Sequence, residues 1–585
     1  MDSRHSLADA DYGQGEGVIY LEPNGRGNTQ YLGLGDQDVL RAIAEAKAHF
    51  NVDEGRIYLT GDSMGGWGTW NVGTRHPDVF AALAPIYGGV DYHSFLTEEQ
   101  LAALSPFNRF MFEKDSTQAF TEGLINMPVM VLHGDVDRSV NVDWSRYNVR
   151  MLQRWGYNVR YVELPGYGHE DINRWPFIFA WFLEHRREAS PRHVRLRSAE
   201  LQNASAYWVT VETPDRPDQF MLVDAEVVGS NTIRLDTQNI FALTLTPGPK
   251  LIDPARPVQV VWNGESQGAT MHDGLIQLRA AGLVTPALAK NSRIAGPVGD
   301  ILNTPFAIVT GTASADPAMN ETIRQKSDTL VAMWQGWQHV TPRVFKDSEL
   351  SEADAAKYSL VLIGGADANL ITRKLADKLS LKVTKDSVVL GNRTFPATDA
   401  RVQLIRPNPL NAQRYVLVIA ATSTAGMQFW PPLGLRGAQF DFTIEDGHVA
   451  GPGQQVELTG TDLWVAGGWF DRGWVLDDSL VHAGNAEARS KAETLRGPPD
   501  VKVLDTYTGN YNLGPIGVAR ITRSASHLSS SIGTEPAVEL IPAGDDRFYI
   551  FEGPMLVIFT KDAAGKIVAF TAKRGDQEFT GTKIE

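Results

Sequence analysis

The chain has no cysteine among its 585 residues. Disulfides and thiolate metal sites are therefore excluded, while the compartment stays open. It has no apolar run of the length that a membrane-crossing helix needs. It is short of positive charge: 54 Lys and Arg against 69 Asp and Glu leave a net charge of −15. That balance argues against nucleic acid or an anionic membrane as a main partner. No His-Glu-x-x-His pair, phosphate-binding loop or calcium loop occurs, so neither a metal nor a nucleotide cofactor is expected. Gly33-Leu34-Gly35 does not complete a dinucleotide fingerprint. The N-terminus has no charged segment followed by an apolar core, so no signal peptide is expected in this chain. A soluble protein is expected, cytoplasmic, or secreted if the natural N-terminus is longer. The length calls for several domains.

What is present is more telling. Arg56-Ile57-Tyr58-Leu59-Thr60 reads as a strand, Gly61-Asp62-Ser63-Met64-Gly65 as a sharp turn, and Trp67 to Gly73 as the continuation of a helix. A Gly-x-Ser-x-Gly turn between strand and helix is a nucleophile elbow, which pushes the serine hydroxyl out at the carboxyl end of a sheet. Ser63 is the candidate nucleophile. The glycines let strand and helix approach closely, and the helix N-terminus favours nearby negative charge.

An elbow needs a base, and the base an orienting acid. Met127 to Gly134 reads as a buried parallel strand and runs into Asp135-Val136-Asp137-Arg138-Ser139-Val140. A helix from about Trp144 to Trp155 and a strand Val159 to Leu164 follow, closed by Pro165-Gly166-Tyr167-Gly168-His169. An acid and a histidine thus each lie just past the carboxyl end of a strand, on the sheet edge where such folds place their ligands. Asp135 and Asp137 are both candidates for the acid, and His169 for the base. His133 precedes the acid and reads as a packing residue; His76 reads as a solvent-facing helix-terminal residue.

The acid loop His133-Gly134-Asp135-Val136-Asp137-Arg138-Ser139-Val140, the histidine loop Gly166-Tyr167-Gly168-His169 and the segment Arg75-His76-Pro77-Asp78-Val79-Phe80 resemble those of prolyl-oligopeptidase-like and polyhydroxybutyrate-depolymerase-like serine esterases of the α/β-hydrolase superfamily. The resemblance covers about residues 17 to 187. It implies Asp137 as the acid, since the family's acid stands three residues before the valine.

The chain departs from the family at its start. Met1 to Ser6 is polar, and the first plausible strand, Val18-Ile19-Tyr20-Leu21-Glu22-Pro23, matches the one that normally follows the oxyanion strand. The first strands of the fold therefore read as missing. The Met64 amide is expected as one oxyanion donor, and the loop Asn24 to Asn28 or the Tyr31 hydroxyl as the other.

Downstream, short alternating runs between Val194 and Trp262 with polar turns predict a β-sandwich. From about Gly296, strand–helix alternation through Phe306 to Gly311, Ser359 to Gly365 and Tyr415 to Ala420 predicts a smaller α/β layer, with Gly364 to Asp367 as a candidate crevice. After Leu495 to Asp500, short strands predict a small antiparallel β-barrel. The expected domains are 1–190, an α/β-hydrolase; 191–290, β-sandwich-like; 291–497, a second α/β domain; and 498–585, barrel-like. The function expected is a serine carboxylesterase acting through an acyl-serine on a small-molecule or carbohydrate-linked ester. A short-peptide peptidase and an inactive hydrolase scaffold serving as a binding module are the rivals. A homo-oligomer is compatible with the sequence. Trp67, Tyr87, Tyr92, Phe95 and Phe107 are candidates to line an acyl pocket.

Overall fold

The computed structural model describes residues 17–27, 29–89, 98–170, 175–280, 286–428, 439–446, 464–484, 501–524, 527–533, 537–542, 546–550, 555–574 and 577–584. The chain divides into two units, Met1–Ala295 and Gly296–Glu585.

In the first unit, β1 (Tyr58–Asp62), β2 (Ala82–Ile86), β3 (Val129–Gly134) and β4 (Val159–Leu164) pair in parallel, in sequence order. β2 and β3 are buried along their whole length, as a parallel sheet requires when helices cover both faces. On one face lie α2 (Met64–Arg75) and α3 (Val142–Arg154), whose Trp70, Val72, Val149 and Leu152 pack with Leu83 and Val131. On the other, Ile178, Trp181 and Phe182 of the helix Trp175–Leu183 meet Ala82, Met130 and Leu132.

Two expectations need correction here. Val18–Pro23 is not a strand: residues 18–24 carry no regular structure, and Val18, Ile19, Tyr20 and Leu21 are exposed. Apolar alternation does not by itself make a strand, because the backbone must also exchange hydrogen bonds with a neighbour, and none of the described strands pairs with this segment. His76 does not face solvent. It is buried, with Nε2 2.9 Å from Asp36 Oδ2. Asp36 lies on α1 (Leu34–His49), a helix the sequence reading does not anticipate.

The predicted sandwich is present as a five-stranded and a four-stranded sheet between β5 (His193–Ser198) and the strand Ile276–Arg279. Its core holds Leu196, Val223, Ile233, Leu243 and Val260. It is tied to the parallel-sheet region within the same unit. Phe220 packs against Phe110 and Phe120 at 5.2 and 5.8 Å between ring centres, and Tyr207 donates its hydroxyl to Pro77 O at 2.9 Å.

In the second unit, Arg343–Lys346, Phe306–Thr310, Ser359–Ile363 and Asn411–Ala421 are parallel neighbours in that spatial order. Antiparallel strands, from Ala400–Asn408 to Leu476–Ala483, extend the sheet to eight. The crevice expected at Gly364 to Asp367 is filled by Asn369. Its Nδ2 donates to Val309 O and Ile363 O at 3.1 and 3.2 Å, and its Oδ1 caps the helix Leu370–Leu379. Eight antiparallel strands from Gly509–Asn512 to Gln577–Ile584 close a barrel, packed inside with Tyr511, Phe548, Phe559 and Phe570. The expected boundary at 495–500 falls outside the described residues.

A Cβ on Gly88 would stand 2.2 Å from the carbonyl carbon of Gly66, backbone that cannot move aside. Gly88→Val is therefore expected to destabilise the first unit by about 1–3 kcal/mol, read as a lower midpoint of its unfolding transition in calorimetry.

Candidate active site

One residue separates β1 from α2, and it is Ser63. Its backbone sits at φ 53° and ψ −114°, a conformation that costs an L-residue on the order of 1–3 kcal/mol. Two hydrogen bonds hold it there. The Ser63 N–H donates to Ile86 O at 3.1 Å, and the Trp67 N–H donates to Ser63 O at 3.0 Å. The side chain makes no cap bond to its own helix, and its Oγ lies 2.8 Å from His169 Nε2.

His169 stands in the turn after β4, and its Nδ1 lies 2.8 Å from Asp137 Oδ2. Asp137 follows β3, with a fully buried side chain. Burial pushes its carboxyl up, but hydrogen bonds from the Val140 N–H, His169 and the Ser139 N–H outweigh that and hold it below its ordinary value. Asp135 is used differently. Its Oδ1 accepts the Gly166 N–H at 2.7 Å, which ties the acid loop to the histidine loop. The family resemblance implies Asp137 as the acid, and the contacts of the two aspartates differ accordingly. A serine hydroxyl, imidazole and carboxylate in this chain can pass the serine proton to the imidazole as the oxygen attacks.

The remaining residues fall out as follows. Met64 opens α2 and is 41% exposed; its amide belongs to the first turn, which has no intrahelical acceptor. Tyr31 is engaged elsewhere. Its hydroxyl donates to Pro23 O at 3.3 Å, and its ring fills the space where a Cβ on Gly25 or Gly68 would come within 2.5 Å. Burial raises its pKa above the ordinary value. Tyr87 packs its ring on His169, centres 4.6 Å apart. Trp67 makes an edge contact with Trp144 of α3. Tyr92 and Phe95 lie outside the described residues. Sequence reasoning missed how closely His133 meets the acid: its Nε2 is 3.3 Å from Asp137 Oδ2. Among the described residues no group of His, Asp and Glu is arranged to hold a metal ion, and no helix is long and apolar enough to cross a membrane.

Residues 8–188 match the model of the prolyl oligopeptidase family. The match spans 181 of the 585 residues. A curated relative, an uncharacterized secreted protein of Arthroderma benhamiae, is 30% identical over 123 residues, spanning 20% of this chain and only 13% of that protein. A thermostable esterase of known structure is 29% identical, with 26% of this chain and 36% of the esterase chain covered at a TM-score of 0.20. A puromycin-hydrolyzing peptidase of Mycobacterium tuberculosis is 21% identical, with 28% of this chain and 27% of the peptidase chain covered at a TM-score of 0.23. The family segment carries Ser63, Asp137 and His169 together.

Asp137→Asn is expected to lower turnover by roughly ten-thousandfold, as a misplaced histidine tautomer does in serine proteases. Asp135→Asn, which disturbs only the Gly166 contact, should cost far less. Steady-state rates of the two purified variants check the assignment of the acid.

Proposed function

We propose that this protein is a serine carboxylesterase that works through an acyl-serine intermediate. The observation that carries the reading is the unbroken run Ser63 Oγ, His169 Nε2, His169 Nδ1, Asp137 Oδ2, with both contacts at 2.8 Å. In this scheme Ser63 attacks the ester carbonyl and His169 takes its proton, then returns one to the leaving alcohol. Asp137 holds the imidazole tautomer and stabilises the imidazolium. Water, activated by His169, then releases the acid from Ser63. The Met64 amide is assigned to the oxyanion, which forms beside the positive end of α2. Tyr31 is not assigned to it, because Pro23 O engages its hydroxyl.

Ester over peptide is favoured by the residues next to the three. Met64, Val136 and Tyr167 flank Ser63, Asp137 and His169 in sequence and are 41%, 53% and 38% exposed. An apolar border of this kind suits an uncharged acyl or alkyl group. A peptidase acting on short peptides is the second reading, favoured by the family match over residues 8–188.

A fluorophosphonate probe should label the full chain at Ser63, and Ser63→Ala should abolish both labelling and hydrolysis of p-nitrophenyl esters. Faster turnover of aminoacyl p-nitroanilides than of esters would favour the peptidase. No labelling of the folded chain would favour a binding scaffold.

Only neutral His169 can take the serine proton, so hydrolysis requires the unprotonated imidazole. Asp137 is held below its ordinary value of about 3.9 and is ionised at neutral pH, ready to face the imidazolium that forms.

A further inference from the structure

His133 takes no part in this scheme, yet it is wholly buried at the end of β3, directly beside the acid. Its surroundings settle its protonation. Nε2 lies 3.1 Å from Val140 O and 3.3 Å from Asp137 Oδ2. A carbonyl and a carboxylate only accept, so Nε2 carries a hydrogen. Nδ1 lies 2.7 Å from Ser145 Oγ on α3. Burial pushes the imidazole below its ordinary value, against the raising influence of the Val140 carbonyl and Asp137. A neutral ring protonated at Nε2 has its lone pair on Nδ1, so the Ser145 hydroxyl donates to it.

Every oxygen of the acid is thereby addressed. Oδ1 takes the Ser139 and Val140 amides at 2.8 and 2.9 Å. Oδ2 takes His169 Nδ1 at 2.8 Å and is faced by His133. Val140 is held on both sides, its N–H by Asp137 and its C=O by His133. With the ring protonated on the other nitrogen, a lone pair would face both the carbonyl and the carboxylate. The Ser145 hydroxyl disfavours that form, since the hydrogen bond made at one imidazole nitrogen decides the state of the other.

We propose that His133, oriented by Ser145, is a positioning residue for the reaction: it holds the Val140 turn and Asp137 Oδ2 at the angle His169 requires. The proposal rests on the Ser63–His169–Asp137 scheme. His133 touches no reacting atom, so its loss should lower kcat and leave KM nearly unchanged.

The test uses the full chain with His133→Phe, His133→Gln and Ser145→Ala. Two measurements are made: kcat and KM on a p-nitrophenyl ester, and the downfield proton resonance of the His169 Nδ1–H bonded to Asp137. His133→Phe should lower kcat on the order of 10- to 100-fold, the range for one hydrogen bond to a charged group. His133→Gln keeps an N–H near the Nε2 position and should regain most of the rate. Ser145→Ala should show a smaller loss in the same direction. The resonance should move or broaden in His133→Phe and in Ser145→Ala. Unchanged kcat and an unmoved resonance in folded His133→Phe would overturn the proposal, as would a Gln variant no better than Phe. If His133→Phe does not fold, an unaltered rate and resonance in Ser145→Ala would overturn it. A parent chain that hydrolyses no ester, with the resonance shifting as described, would sink the esterase reading and leave this positioning role standing.

Discussion

Backbone meets backbone where the first turn of α2 crosses the end of β2, and the site depends on that contact. A Cβ on Gly66 would stand 2.4 Å from Ile86 O, and one on Gly88 2.2 Å from Gly66. Only because both side chains are absent can α2 come near enough for the Ser63 N–H to reach Ile86 O. That bond helps keep Ser63 in its strained conformation, which aims the hydroxyl away from the helix and at His169. The parallel order of β2, β3 and β4 does the rest. It delivers the acid loop and the histidine loop to the same edge of the sheet, one strand and two strands along.

The Asp137 carboxylate is secured more heavily than the His169 imidazole. Asp137 is fully buried, which by itself would favour its neutral form, and the amides and imidazoles around it reverse that preference. His169 stays partly open and is steadied by the Tyr87 ring on one side and Asp137 on the other. The elements that bear these residues are themselves tied together. Arg146 of α3 binds both carboxylate oxygens of Glu163 on β4, at 2.9 and 2.7 Å, and holds that carboxyl down to about 2. Ser145 is the neighbour of Arg146, so the same helix that braces β4 also presents a hydroxyl to His133.

Among the described residues of the remainder, the one crevice that the sequence offered is taken up by packing. The glycines at 364 and 365 stand at the end of a parallel strand, a place that takes ligands in other folds, but here the Asn369 amide occupies the gap between two strand ends. The barrel interior is filled by aromatic rings stacked edge to face, such as Tyr507 on Phe548 and Phe548 on Phe559. The sandwich is bound to its own unit by Phe220 and Tyr207 rather than hanging from a bare linker.

The positions of Ser63, Asp137 and His169 were legible because each stands at a local punctuation mark: a strand, then a turn rich in glycine or aspartate. Strand ends and tight turns are written over a few adjacent residues, and so are the helices Val142–Arg154 and Pro317–Gln338. The sequence by itself therefore determined that there is a parallel core and which residues stand at its carboxyl edge. Tertiary structure decided whatever depended on a distant partner. Val18 to Pro23 has the composition of a strand but pairs with none of the described strands. His76 is buried by an acid 40 residues away. Barrel strands such as His527–Ile532 and Gln577–Ile584 are too polar to announce themselves and exist because neighbours on both sides complete their hydrogen bonds. The contact of Asp135 with the histidine loop, and the place of His133 behind Asp137, follow from where the loop after β3 meets the loop after β4. No spacing along the chain encodes that meeting; the packing of the sheet imposes it.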